Sequence, residues 1–295
     1  MKKVIFKGAG VALVTPMNED GSVNYEELER LINYQIDNGT DAIITCGTTG
    51  ESATLTEEEH SKVIEFTVNK VAGRIPVVAG TGSNNTETAL RHSLEAEKLG
   101  VDGLLIVTPY YNKTSQQGLI EHYTYIADRV HTPIILYNVP SRTGVNIKPE
   151  TYQILSRHEN IVAAKEAGGD ISAVAKIRAL CGDDLAIYSG NDDQIVPMLS
   201  LGGLGVISVF SNICPKECHT MIKEFFGGNA ELSSKMQTKY LELMNAMFCD
   251  VNPVPVKEAL NIMGFKCGEC RMPLYRLSDE NRRKVKSILE KYSLI

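Results

Sequence analysis

Short runs of almost uninterrupted apolar residues recur along the chain. They are Val11–Thr15, Ala42–Cys46, Val77–Gly80, Leu104–Thr108, Ile134–Tyr137, Ile161–Lys165, Leu185–Ser189 and Val206–Val209. Strands that are apolar on both faces are covered on both faces, as in parallel sheets. Between them the period lengthens. From Tyr25 to Asp37, Leu28, Leu31, Ile32 and Ile36 share one side of a helix. Thr56 followed by Glu59 has the form of a capping box, and Asn85 or Thr86 opens the next helix. Gly39, Gly73 and Gly100 stand where helices stop.

Eight strand-then-helix repeats predict an α/β chain folded as a (β/α)8 TIM barrel. A doubly wound open sheet is the rival, but no GxGxxG follows the first strand. After about residue 228 the rhythm changes. Glu231–Phe248, Val254–Met263 and Asp279–Tyr292 read as helices with no strand between them. The expected organisation is a catalytic barrel over 1–228 and a C-terminal helical region over 229–295.

Composition narrows the function classes. The chain has 295 residues, 22% of them charged, and a net charge of -6. No basic block is present, which argues against a nucleic-acid partner. No apolar stretch is long enough for a membrane span. Lys7 interrupts the apolar start too early for a secretory signal, so a cytoplasmic location is expected. Seven scattered cysteines predict free thiols rather than a disulfide framework. Cys267-Gly-Glu-Cys270 and the Cys214, Cys218, His219 cluster each lack a second half, so no metal site is expected.

In a barrel, chemistry gathers where strands end. Lys165 closes the sixth run, an unusual place for a residue seldom buried. Burial disfavours an ammonium group and lowers its pKa from about 10.4. A neutral amine there could attack a ketone and form a Schiff base. Read without chemistry, Lys165 is a strand-end lysine snorkelling to solvent. Tyr137 and Tyr111 also stand near strand ends and could relay protons, or simply anchor loops. Thr48 could link two phenols, or serve the turn. The Gly47-Thr48-Thr49-Gly50 loop is no phosphate-binding motif, but its amides could cradle a small carboxylate. Arg142, between Pro140 and Gly144, could hold a second carboxylate in a fork, or remain solvated.

GTTGESATL, VTPYYN, YNVPSRTG and the Lys165 strand occur in this order. Together with the GVISV run and Asn252 to Lys257, they resemble the dihydrodipicolinate synthase family of pyruvate-dependent class I aldolases. The resemblance spans essentially the whole chain. It implies a barrel with a C-terminal helical region, needing no metal or organic cofactor, that condenses pyruvate with aspartate 4-semialdehyde in the lysine and diaminopimelate route. It implies Lys165 as the Schiff-base lysine and Tyr137 as the proton shuttle, with Thr48 and Tyr111 completing the relay. The match to Tyr111 reaches in from a neighbouring subunit, which implies a tight dimer within a homotetramer, a dimer of dimers. Thr48 and Thr49 match pyruvate-carboxylate positions, Arg142 a position holding the aldehyde's carboxylate, and Gly190 and Ile207 positions lining the site through their backbones.

Some members of that family are inhibited by lysine. Ser52, Ala53, His60, Asn84 and Tyr110 match the lysine pocket. Glu57 stands where sensitive members carry histidine and Thr88 where they carry glutamate, so weak or absent lysine feedback is expected. The nearest rival activity is that of a sister keto-acid aldolase such as N-acetylneuraminate lyase. The doubled threonine and Ser141-Arg142-Thr143-Gly144 favour a small acidic aldehyde over a polyol. A non-catalytic keto-acid-binding barrel is opposed by the intact set Thr48, Tyr111, Tyr137, Arg142 and Lys165. A zinc-dependent aldolase needs a histidine cluster at strand ends, and the six histidines fall mostly elsewhere.

Overall fold

A computed structural model describes residues 2–295. The eight strands are β1 (Gly8–Ala12), β2 (Ala42–Thr45), β3 (Val77–Gly80), β4 (Gly103–Val107), β5 (Ile134–Asn138), β6 (Ile161–Glu166), β7 (Ala186–Ser189) and β8 (Gly205–Ser208). Each pairs in parallel with the next, and β8 pairs with β1 to close the barrel. Alternate side chains point inward and outward. Ile44, Val78, Leu105, Ile135, Tyr188 and Ile207 fill the inside. Ile43, Val77, Leu104, Ile134, Leu136 and Val206 belong to the core beneath the helices.

Seven strands fall within a residue or so of their apolar runs. The first does not: it spans Gly8–Ala12 rather than Val11–Thr15. The cause is glycine, which is depleted in strands and hides this one from a pattern reading. A Cβ on Gly10 would lie 2.6 Å from Ile44 Cδ1 and 2.8 Å from Phe6 Cζ. A Cβ on Gly205 would lie 1.9 Å from the Gly8 carbonyl oxygen. Small residues therefore let the first and last strands meet. Val14 and Thr15 already belong to the mouth, where the Thr15 hydroxyl donates to Gly50 O at 2.7 Å.

One register irregularity matters for the site. Ile134 pairs with Ile161, but Ile135 pairs with Ala163, so Val162 is an extra residue. Strict alternation from outward-facing Ile161 would put residue 165 outward as well. The bulge makes Val162 and Ala163 both face inward, and Ala164 faces out. Lys165 consequently turns into the barrel, a re-aiming that bulges commonly perform.

Several helices begin at a side-chain cap. Thr56 and Glu59 complete a reciprocal capping box, and Asn85 accepts from Thr88 N. Beyond the helix Pro215–Phe226 come Ala230–Ala246, Val254–Ile262 and Asp279–Lys291. The core continues without a break into these helices through Leu243, Val256, Leu260, Val285 and Leu289. Among the described residues, no helix is long and apolar enough to cross a membrane.

Candidate active site

The ends of β5 and β6 bring two of the candidate residues together. Tyr137 and Lys165 are register partners, and Lys165 Nζ lies 4.3 Å from the centroid of the Tyr137 ring. Lys165 is 6% exposed, with no carboxylate oxygen within 4.0 Å among the described residues. The other buried lysine, Lys257, is 1% exposed and bonded to Glu51 at 2.8 Å. The chain thus pairs one buried amine and leaves the other facing an aromatic ring. Gly190 gives that amine room, since a Cβ there would lie 3.2 Å from Lys165 Cε and 2.7 Å from Ala167 Cβ. Ile207 is fully buried inside the barrel.

A cavity of about 510 Å³ opens over this end of the barrel. Thr48, Tyr137 and Arg142 line it, along with Gly47, Val139 and Asn252. Thr49 is buried, and its hydroxyl accepts from Asn252 Nδ2 at 3.0 Å. Arg142 sits in the helical turn Pro140–Thr143 that follows β5, with Pro140 at the first position. Its guanidinium donates to Asn252 O at 3.2 Å. Asn252 Oδ1 is buried without a partner among the described residues.

Tyr111 is placed differently. It is 90% exposed, on the loop after β4, and outside the cavity lining. Its positive φ of 69° holds that loop in a conformation uncommon for a tyrosine. The single chain does not bring Tyr111 to Tyr137.

Ser52, Ala53, His60, Thr88 and Tyr110 line the same cavity as the barrel-mouth residues. Asn84 does not; its carbonyl accepts from Asn112 Nδ2 at 2.9 Å. His60 contacts Gly80 O at 2.8 Å and stacks on His92 with ring centroids 5.0 Å apart. Burial holds both imidazoles below the usual histidine range. Glu57 lies outside the lining, paired with the Arg91 guanidinium.

Several residues of the site carry no role in the reading of the sequence. Asn252 stands among helices and reaches the mouth only in three dimensions. Asp192, after β7, is buried and accepts from Val209 N and Phe210 N at 3.1 and 2.8 Å. Desolvation pushes its carboxyl above the usual range. Glu166 and Asn138 directly follow the two central residues, and that adjacency was the available signal. All seven cysteines are free; burial raises Cys46, Cys267 and Cys270 to about 12, which leaves them as inert thiols.

A closed parallel barrel with an unpaired buried lysine against a tyrosine at its mouth has the architecture of a barrel enzyme for carbonyl chemistry. The chain belongs to the dihydrodipicolinate synthetase family, whose model matches residues 5–292. It is 55% identical over 292 residues to the 4-hydroxy-tetrahydrodipicolinate synthase of Thermoanaerobacter sp. (strain X514), covering 99% of this chain and 98% of that one. Among solved structures it resembles the dihydrodipicolinate synthase of Thermotoga maritima at 44% identity and TM-score 0.97, covering 99% of this chain and 100% of the other. It also resembles the chloride-inhibited enzyme of Acinetobacter baumannii complexed with pyruvate, at 40% identity, TM-score 0.97 and the same coverage.

Proposed function

We propose that this chain condenses pyruvate with L-aspartate 4-semialdehyde to give 4-hydroxy-tetrahydrodipicolinate, the entry step of diaminopimelate and lysine biosynthesis. Membership of the family and the names of its close relatives support the activity. The pyruvate complex of the Acinetobacter relative supports the keto acid. The observation that carries the residue assignment is Lys165, a buried amine with no carboxylate partner among the described residues, 4.3 Å from the Tyr137 ring.

Lys165 Nζ adds to C2 of pyruvate, and loss of water leaves the Schiff base. Tyr137 moves the protons this requires, and Thr48 extends the relay. Thr48 and Thr49 hold the pyruvate carboxylate at the loop after β2. Loss of a methyl proton from the protonated imine gives an enamine, with the nitrogen as electron sink. The enamine carbon attacks the aldehyde, and a proton converts the new oxyanion to a hydroxyl. The substrate's own amine then attacks the imine carbon, closes the ring and releases Lys165. Arg142 faces the carboxylate of the second substrate. Tyr111 completes the relay from a neighbouring subunit, within a homotetramer. Its exposure in the single chain supports that reading.

Borohydride reduction in the presence of labelled pyruvate tests the core of this assignment. The expected result is one adduct, mapped by mass to Lys165. A label elsewhere, or none, overturns it. Coupled assays separate the aldehydes: turnover with aspartate 4-semialdehyde is expected, and preference for N-acetylmannosamine would favour the sister lyase.

A further inference from the structure

We propose that Asn138, Glu166 and Tyr152 form a clamp on the outer side of the barrel wall that holds Lys165 and Tyr137 at their working separation. The proposal rests on the assignment of Lys165 and Tyr137 given above. The two residues are register partners on the inner face. Their immediate successors, Asn138 and Glu166, are register partners as well, and face outward. Asn138 Nδ2 donates to both Glu166 oxygens, at 2.9 and 3.1 Å. The Tyr152 hydroxyl donates to Glu166 Oε2 at 2.8 Å, and Gly168 N to Oε1 at 2.8 Å. Asn138 is itself fixed, by Asn146 Oδ1 at 2.7 Å and by Ile147 N at 3.1 Å.

Glu166 has no lysine, arginine or histidine nitrogen within 4.0 Å among the described residues. A buried carboxylate held only by neutral donors is a costly way to join two strands, where an apolar pair would pack without penalty. Its burial pushes the carboxyl upward, opposed by these hydrogen bonds. What the polar group supplies is direction. Four contacts on two oxygens leave the end of β6 little freedom to slide against β5. The Val162 bulge lies only three residues before Lys165, so the register must be re-established just where the amine emerges. Asn138 and Glu166 form the first side-chain hydrogen bonds between the two strands beyond the bulge. They act through the backbone on the neighbouring residue of each strand, and are positioning residues.

The test compares Glu166→Gln, Asn138→Ala and the double variant N138D/E166Q, which reverses donor and acceptor between the two positions. In Glu166→Gln, an amide NH2 replaces an oxygen that only accepts. The expected result is a loss of kcat of ~10–100-fold with the KM for pyruvate within about threefold, as for a misplacement on the order of 1 Å at reacting groups. The double variant is expected to recover part of that loss, at least about threefold, because an amide–carboxylate bond again joins the two strands, although Asp at 138 no longer donates to Asn146 Oδ1. Borohydride still labels Lys165 in every variant, more slowly in the single ones. Should Glu166→Gln fail to fold, Tyr152→Phe removes one hydrogen bond with the ring kept, and a smaller fall in kcat is expected. An unchanged kcat beside a lowered Tm, or no recovery in the double variant, overturns the clamp. An unlabelled wild-type chain overturns the Schiff-base assignment instead, so the two failures are distinguishable.

Discussion

Asn252 Nδ2 donates to Thr49 Oγ1 at 3.0 Å across 203 positions of sequence. The same residue's carbonyl accepts from Arg142. One asparagine, in the turn before the helix Val254–Ile262, thus touches both groups proposed to meet carboxylates. Its bond leaves the Thr49 hydroxyl proton free to turn toward a ligand.

Asn252→Ala removes that bond. A buried hydrogen bond contributes about 0.5–1.5 kcal/mol, so the KM for pyruvate should rise by about two- to tenfold, with a smaller effect on kcat. Steady-state kinetics in both substrates measures this. An unaltered KM would mean that Thr49 is oriented without Asn252.

A second link runs from Lys257 to Glu51, whose other oxygen accepts from Arg271 N at 2.9 Å. Removing one member of a buried pair strands the other charge, typically at about 3–5 kcal/mol. Lys257→Met should lower the urea midpoint by a corresponding amount. E51Q/K257M, which removes both charges, should restore much of it. Equal midpoints for wild type and Lys257→Met would show that the pair adds nothing.

Acid stability has a defined origin at Glu59. The Arg271 guanidinium holds that carboxyl at about 2, below its ordinary 4.5. A depressed carboxylate contributes stability above the unfolded value and loses it as pH falls through the folded one. The wild-type advantage over Glu59→Gln should therefore be full near pH 7 and fade between about pH 4.5 and 2. Unfolding curves across that window check the sign; a gap that widens on acidification would refute it.

Lysine response is the remaining expectation. Thr88 lines the cavity without a carboxylate, and Glu57 is engaged by Arg91 outside it. Sub-millimolar lysine should leave the rate nearly unchanged, whereas E57H/T88E should gain inhibition. Strong inhibition of the wild type at those concentrations would remove the premise.

What the sequence disclosed follows from the range of the interactions. β3 matches its apolar run at both ends, and Lys165 was visible because an amine closes such a run. The family motifs are local and in order, so the family and its activity could be read from them. β1 was displaced because Gly10 answers to Ile44 and Phe6, residues outside the strand. The Val162 bulge adds one apolar residue to an apolar run and leaves no mark in the pattern. The bonds from Asn252 to Thr49 and from Lys257 to Glu51 join distant segments, and no local rule anticipates them.

The pairing of β1 with β8 also sets a timetable for synthesis. The neighbour of Gly8 is Gly205, so one edge of the nascent sheet stays open while roughly 200 more residues are translated. At about 5–20 residues per second that wait lasts on the order of 10–40 s. Throughout it, a row of unsatisfied amides and carbonyls stands available to strangers. Newly made chains should be most prone to mispairing in this interval, and shielding them until the final strand emerges should raise the yield of native protein.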